Sequence, residues 1–341
     1  MKGIDEPRVS AWLAENVDGL QAPFQFDLIA GGHSNLTYRV VDATGRAVVL
    51  RRPPLGHVLA SAHDMAREHR IISAVGQTDV PVAPALALCT DDAVNGAPFY
   101  VMGFVEGTVL DGIHTVDDVE PDRLRPLSFH LIDVLADLHG VDVDAVGLGD
   151  LARRDGYVER QIKRWMTQWE NSKTRELPLI EEVARRLGAE IPKQQGVSIA
   201  HGDYRFGNCL VDLEQARVKA VLDWELCTLG DPLADVGYIG IYWSDPGATP
   251  LRPSDPTSSG KFPTYDELLD RYAARTGRDL SDIWYYRAFA AYRLAVIGEG
   301  VLNRYMKGVM GNDIDEPTIT DFRDSTERLA NSALTFLRHW H

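Results

Sequence analysis

Ile199-Ala200-His201-Gly202-Asp203-Tyr204-Arg205-Phe206-Gly207-Asn208-Cys209-Leu210-Val211, followed by Val218-Lys219-Ala220-Val221-Leu222-Asp223-Trp224-Glu225, is the stretch that decides the fold. Apolar runs flank a polar loop, so Asp203 and Asn208 sit on that loop and Asn208 opens a strand. Residues 212–216 turn the chain, and a second strand ends at Asp223. A hairpin of that length brings Asp223 back beside Asn208. An Asn and an Asp side by side offer the hard oxygens that magnesium accepts when phosphate oxygens complete its shell. Asp203, a short loop away, is placed to orient an attacking hydroxyl.

Working outward, the first hundred residues read as strand-rich. Phe26 to Ala30 and Leu36 to Val41 flank a glycine turn, Gly31-Gly32-His33-Ser34-Asn35, and the Ala43 to Arg46 turn leads into Ala47 to Arg51. Ser61 reads as an N-cap for a helix from Ala62 to Val75, which Gly76 stops. Pro81 and Pro84 mark an extended connection, and Pro98 to Val105 is a further apolar strand. Helical patterns dominate beyond it: Pro126 to His139, Gly156 to Trp169, Ile180 to Leu187, Tyr265 to Thr276, Asp282 to Met306 and Thr318 to Trp340. The expected fold is α+β. It has a small antiparallel-sheet lobe over 1–105, and a larger helical lobe over 106–341 holding the catalytic hairpin. The proline- and serine-rich stretch from Ser244 to Pro263 reads as surface loop.

Composition bounds the partners. The 341 residues are 45% hydrophobic and 25% charged, ordinary for a globular chain with a sizeable core. Fifty acidic against 35 basic residues give a net charge of −15, which disfavours nucleic acid and anionic membrane at long range. Net charge leaves room for a local basic pocket. Three cysteines without a CxxC pair, no visible signal peptide and no long apolar run point to a cytoplasmic protein.

The order His-x-Asp-x-x-x-x-Asn and then Asp at a strand end resembles the catalytic machinery of kinase-fold phosphotransferases. The His201-Gly202-Asp203 variant, with Asp223-Trp224-Glu225 and Gly230-Asp231-Pro232-Leu233-Ala234-Asp235, is similar to the aminoglycoside phosphotransferase and choline kinase branch. Gly32 to Tyr38, Val49 to Pro54 and Thr78 to Val82 resemble a narrower subgroup, the phosphotransferase domains found beside or fused to acyl-CoA dehydrogenases. The resemblance covers about residues 25 to 330. It implies a protein-kinase-like fold and ATP and Mg²⁺ as cofactors. It implies Asp203 as the base or orienter of the acceptor hydroxyl, and Asn208 and Asp223 as the metal ligands. Asp-Phe-Gly and Ala-Pro-Glu, expected of a protein kinase, do not occur.

The expected nucleotide site comprises Gly32, His33, Ser34 and Asn35 over the phosphates, and Arg51 where the family carries a lysine. Glu68 is Arg51's counter-ion, because a carboxylate on the apolar face of a helix needs a cation. Gly103 and Val105 meet the adenine edge. Glu225 reads as a second-metal candidate, His201 as a brace, Asp231 as a cap and Asp235 as support for the loop. Arg160, Lys163 and Arg164 share one side of a helix and are candidates for meeting an anionic acceptor. Tyr242, Trp243, Tyr286, Tyr292 and Arg293 are further acceptor-side candidates. The favoured function is phosphoryl transfer from Mg-ATP to a small-molecule hydroxyl, with a hydroxyacyl-CoA-type metabolite as acceptor. One rival is an aminoglycoside phosphotransferase, for which Asp111, Asp117, Asp118, Glu120 and Asp122 would attract a polycation. Another is a nucleotide-binding pseudokinase with a regulatory role, suggested by Arg51.

Overall fold

The computed structural model describes residues 1–31, 35–55, 64–308 and 314–341. Helix α1 (Glu6–Asn16) is capped by Asp5, whose side chain accepts the Arg8 amide, and proline stands in its first turn. Strands β1 (Gln25–Gly31), β2 (Leu36–Val41) and β3 (Ala47–Arg52) follow, then α2 (Met65–Val75), β4 (Ala85–Cys89), a single turn α3 (Asp92–Asn95) and β5 (Phe99–Gly103). The five strands form one antiparallel sheet in the order β1-β2-β3-β5-β4.

Side chains alternate across the pleat. Val48 and Leu50 of β3, with Phe99 and Val101 of β5, bury against Val9 and Leu13 of α1 in a small core behind the sheet. Val49, Tyr100 and Met102 face the other way, into the larger core. Arg51, two residues after Val49, shares that front face.

The rest is mostly helical. Short β6 (Thr108–Val109) precedes α4 (Pro121–Gly140), α5 (Tyr157–Ser172) and α6 (Pro178–Ala189). Strands β7 (Ser198–Ala200), β8 (Cys209–Asp212), β9 (Arg217–Val221) and β10 (Thr228–Gly230) carry the site, followed by α7 (Leu233–Ile239), α8 (Tyr265–Thr276), α9 (Ile283–Met306) and α10 (Glu316–Trp340). Strand β8 pairs with both β6 and β9, and β7 pairs with β10. Among the described residues, no helix is long and apolar enough to cross a membrane.

Several expectations need correction. α1 and β4 were not anticipated. α4 begins at Pro121 rather than Pro126, which sits inside the helix and removes one ladder bond there. α2 is capped by Asp64, which accepts the Arg67 amide; the expected cap Ser61 and first residue Ala62 lie outside the described residues. The Ser244–Pro263 segment is no plain surface loop. Asp255 and Thr257 are buried, Thr257 Oγ1 donates to the Tyr242 carbonyl, and Phe262 packs on Phe206 of the catalytic loop.

α7 crosses α9 at Gly237, where a Cβ would stand 2.5 Å from the Tyr286 carbonyl carbon. Backbone cannot yield as a side-chain tip does. Gly237→Ala is expected to cost ~1–3 kcal/mol through overpacking, read as a lower urea midpoint with an unchanged slope. An unaltered midpoint would refute the crossing.

Candidate active site

The site is built on the loop between β7 and β8. Gly202 adopts φ +83°, and a Cβ there would press on the Leu226 carbonyl oxygen at 2.9 Å, so glycine is required at the bend. His201 is wholly buried. Its Nε2 lies 2.8 Å from the Leu222 carbonyl, its Nδ1 receives the Asp203 amide at 3.2 Å, and its ring packs on Trp224. That pattern belongs to a neutral, structural imidazole. It ties the loop to the segment carrying Asp223.

Asp235 of α7 fastens the loop from beneath. One oxygen accepts the His201 amide at 2.7 Å and the other the Gly202 amide at 2.8 Å. His139 of α4 approaches the first oxygen at 3.2 Å and is itself held by Tyr272 of α8 at 2.8 Å. Burial pushes the Asp235 carboxyl upward, yet the His139 and backbone hydrogen bonds outweigh it and hold the group below the usual carboxylate range. Arg293 of α9 donates to the Gly202 carbonyl. Asp231 accepts the Leu233 amide as α7 begins, along with the Gln195 amide and the Tyr286 hydroxyl.

Asp203 is half-buried and fixed through both carboxylate oxygens. Tyr238 of α7 donates to Oδ1 at 2.5 Å, and Asn208 Nδ2 donates to Oδ2 at 2.7 Å and to the Asp203 carbonyl at 2.8 Å. Arg205 Nε stands 3.5 Å from Oδ1. Asn208 spends its amide nitrogen on Asp203, which leaves its side-chain oxygen available as a ligand. The hairpin register, Cys209 opposite Val221 with the Leu222 amide on the Asn208 carbonyl, sets Asp223 beside Asn208. Asp223 has φ +61°, a conformation that Asp tolerates better than most residues.

From the sheet side, Arg51 Nε meets Glu68 Oε2 at 3.1 Å and its Nη2 meets Asp223 Oδ1 at 2.5 Å. Glu68 is buried, and the Tyr100 hydroxyl and the Asn35 amide also donate to it, each at 3.1 Å. Burial raises the Glu68 carboxyl and Arg51 opposes that rise. Burial first, and then the charge of Asp223, push Glu225 upward. Asn35 Nδ2 lies 3.5 Å from Glu225 Oε2, so this residue's side chain reaches carboxylates. Gly32, His33 and Ser34 lie outside the described residues.

Between sheet and hairpin lies a cavity of about 500 Å³. Met102, Gly103, Phe104 and Val105 line one side, Asn208, Leu210 and Asp223 the other, and Arg51 one end. The Gly103 amide is spent on the Pro84 carbonyl at 2.8 Å. Among the described residues no group of three His, Cys, Asp or Glu could hold a metal ion. A donor set of one amide and one carboxylate oxygen suits magnesium that also binds phosphate.

The acceptor-side candidates divide. Trp243, Tyr286 and Tyr292 are core residues. Tyr242 stands 3.2 Å, hydroxyl to hydroxyl, from Tyr238. Lys163 pairs with Glu159, and Arg160 donates to the Arg153 carbonyl, leaving Arg164 as the one of the three that lines a pocket. Asp111, Asp117, Asp118, Glu120 and Asp122 are exposed and do not line the cavity. Tyr238 and Tyr100 were not anticipated. Tyr238 lies one turn after Asp235 on the same helix, which was the available signal.

Residues 26–290 match the profile of the phosphotransferase enzyme family. Acyl-CoA dehydrogenase family member 10 of Mus musculus is 35% identical over 308 residues, covering 89% of this chain and 28% of that protein. The chain spans less than half the length of the curated relatives it matches. A crystal structure from Ralstonia eutropha JMP134, provisionally named an aminoglycoside phosphotransferase, is 33% identical with a TM-score of 0.80, covering 97% of this chain and 98% of that one. Aminoglycoside phosphotransferase APH(4)-Ia, in ternary complex with AMP-PNP and hygromycin B, shares the fold at 15% identity and a TM-score of 0.60, covering 97% and 98%.

Proposed function

The chain belongs to the phosphotransferase enzyme family, and on that premise we propose that it phosphorylates a small-molecule hydroxyl from Mg-ATP, the acceptor being a hydroxyacyl-CoA-type metabolite. One observation carries the reading: Asp203, Asn208 and Asp223 converge at the edge of a cavity whose other walls are Arg51 and the Met102–Val105 strand end. Met102, Phe104 and the Val105 backbone would receive the nucleotide base, and Arg51 would meet its phosphates. The AMP-PNP bound by the 15%-identical relative supports ATP as donor.

Transfer of this kind is mostly positioning and charge neutralisation. The acceptor oxygen attacks the γ-phosphorus, the bond to the β-phosphate oxygen breaks, and ADP leaves. Asp203 orients the hydroxyl and takes its proton, with Tyr238 and Asn208 preventing the carboxylate from turning away. Arg51 places positive charge at the phosphates, and Glu68 and Tyr100 fix its side chain. Asn208 and Asp223 would hold magnesium, which would supply further charge neutralisation at the phosphates. Arginine binds phosphate through a planar fork where the family's lysine presents a point charge.

The acyl-CoA dehydrogenase names of the relatives favour an acyl-CoA-type acceptor. The test is incubation with Mg-ATP and two panels, hydroxyacyl-CoAs and aminoglycosides, read by mass spectrometry for gain of one phosphoryl group. Phosphorylation of the first panel alone is expected. Transfer to the aminoglycosides alone would replace this acceptor class, and ATP binding without transfer to either panel would favour a pseudokinase.

A further inference from the structure

A second, smaller pocket adjoins the nucleotide cavity. Its volume is about 140 Å³, and it is lined by Arg67 and Glu68 of α2, Arg164 of α5 and residues 225–228, with Asp64 at its edge. Glu68 and Glu225 line this pocket, while Arg51, which pairs with Glu68, and Asp223, two residues before Glu225, line the nucleotide cavity.

Of the three carboxylates here, Glu68 is paired with Arg51 and the other two accept hydrogen bonds from neutral donors. Asp64 accepts the Arg67 backbone amide at 2.9 Å, and Glu68 accepts from Arg51, Tyr100 and Asn35. Glu225 accepts from Asn35. The two guanidinium groups have no ion pair among the described residues. Arg67 Nη2 donates to the Cys227 carbonyl at 2.6 Å, while Arg164 lies on the Trp165 ring, 5.4 Å from its centroid.

A third arginine stands behind them. Arg293, only 5% exposed, lies on the other contacts of the same ring system, 5.5 Å from the Trp165 centroid and 4.9 Å from that of Tyr238. Its Nε has no hydrogen-bond partner. Burial pulls the Arg164 guanidinium below its ordinary range, and the charges of Arg293 and Arg67 add to that effect. Arg67 and Arg164 thus face the pocket without an ion pair among the described residues, beside the carboxylates of Asp64, Glu68 and Glu225, and guanidinium groups bind phosphate through paired hydrogen bonds.

The position says which anion. Arg293 donates to Gly202, next to Asp203, and lies on Tyr238, which holds Asp203. Arg164 and Arg293 lie on the same Trp165 ring, which connects the pocket to the support of Asp203 on the acceptor side of the cleft. We propose that Arg67 and Arg164 form a subsite for a phosphate-ester group carried by the phosphoryl acceptor. The proposal rests on the phosphotransferase reading and deepens it.

The test is calorimetric titration of coenzyme A, and separately of inorganic pyrophosphate, into protein saturated with AMP-PNP and Mg²⁺ so that the nucleotide cavity is filled. Coenzyme A is expected to bind. Arg164→Ala should weaken it about tenfold or more, as loss of a charge-assisted contact does. Arg164→Lys should retain most of the affinity, and AMP-PNP binding should be unchanged. Arg164 is exposed as a residue while its guanidinium is enclosed at the pocket, so an unchanged urea midpoint is expected for Arg164→Ala and separates a lost contact from a lost fold; Arg67→Ala is the confirming variant. Binding of both probes marks recognition of bare phosphate, and binding of coenzyme A alone marks a carrier-bound ester. Absence of binding by either probe, or equal binding by wild type and Arg164→Ala, overturns the subsite. Asp203→Asn separates the two ideas: it should keep coenzyme A binding and lose transfer, and if transfer persists the phosphotransferase reading fails while the subsite stands.

Discussion

Alanine at position 203 is expected to abolish phosphoryl transfer while leaving nucleotide binding intact. Asp203 does not line the nucleotide cavity; it touches that wall only through Asn208. Its loss removes the group that aligns the acceptor hydroxyl and takes its proton, a contribution of ~10²–10⁴ in rate for a positioned base. The affected quantity should be kcat, with the AMP-PNP affinity by calorimetry within a factor of about two, since no phosphate contact is lost. Asp203→Asn keeps an oxygen for Tyr238 but cannot accept the proton, so it should share the kcat defect. Undiminished turnover in both variants would remove Asp203 from the mechanism.

Asp235→Ala carries the second large effect, and it falls on stability first. The carboxylate is 1% exposed and serves two backbone amides and His139 at once. Deleting it strands those donors in the interior, a loss of ~3–5 kcal/mol by analogy with breaking a buried pair from one side. The pH dependence has a definite sign. A carboxyl held below its unfolded value stabilises fully above that value and loses the contribution as pH falls through the lower, folded one. The gap between wild type and variant should therefore be constant through neutral pH and narrow only below the ordinary aspartate range. Urea unfolding at pH 7 and in acid reads both points, and equal stability at pH 7 would show that the loop is held some other way.

Local signals carried much of this architecture. The hairpin around Asn208 and Asp223, the helix Tyr265–Thr276 and the strand Leu36–Val41 lie where apolar periodicity and turn residues place them. Asp5 followed by Pro7 is a start signal for α1, legible from the cap and the first-turn proline. β4 is harder, because Ala85-Leu86-Ala87-Leu88-Cys89 has weak strand preference and pairs on one side only. Pro126 misplaced the start of α4 because proline favours a first turn, and only tertiary packing tolerates it deeper. The site splits the same way. Asp203, Asn208 and Asp223 lie within one hairpin, so their meeting is legible. Asn35 and Glu225 meet across 190 residues, and Arg51 and Asp223 across 172, which no local pattern encodes. Whether a basic helix face is free or paired also depends on neighbours; Glu159 takes Lys163, and Arg164 alone is left facing the pocket.

The sheet with a core on each side makes position parity informative. Val48 and Leu50 of β3 with Phe99 and Val101 of β5 hold the backbone in place against α1, while Val49, Arg51, Tyr100 and Met102 supply the walls of the cavity and the charge that enters it. A buried arginine–glutamate pair contributes little to stability for the desolvation it demands. It survives on the front face because Leu50, Phe99 and Val101 anchor the same strands from behind. Neighbouring residues on one strand thus serve different ends: a step of one along the chain moves from the durability of the scaffold to the character of its chemistry.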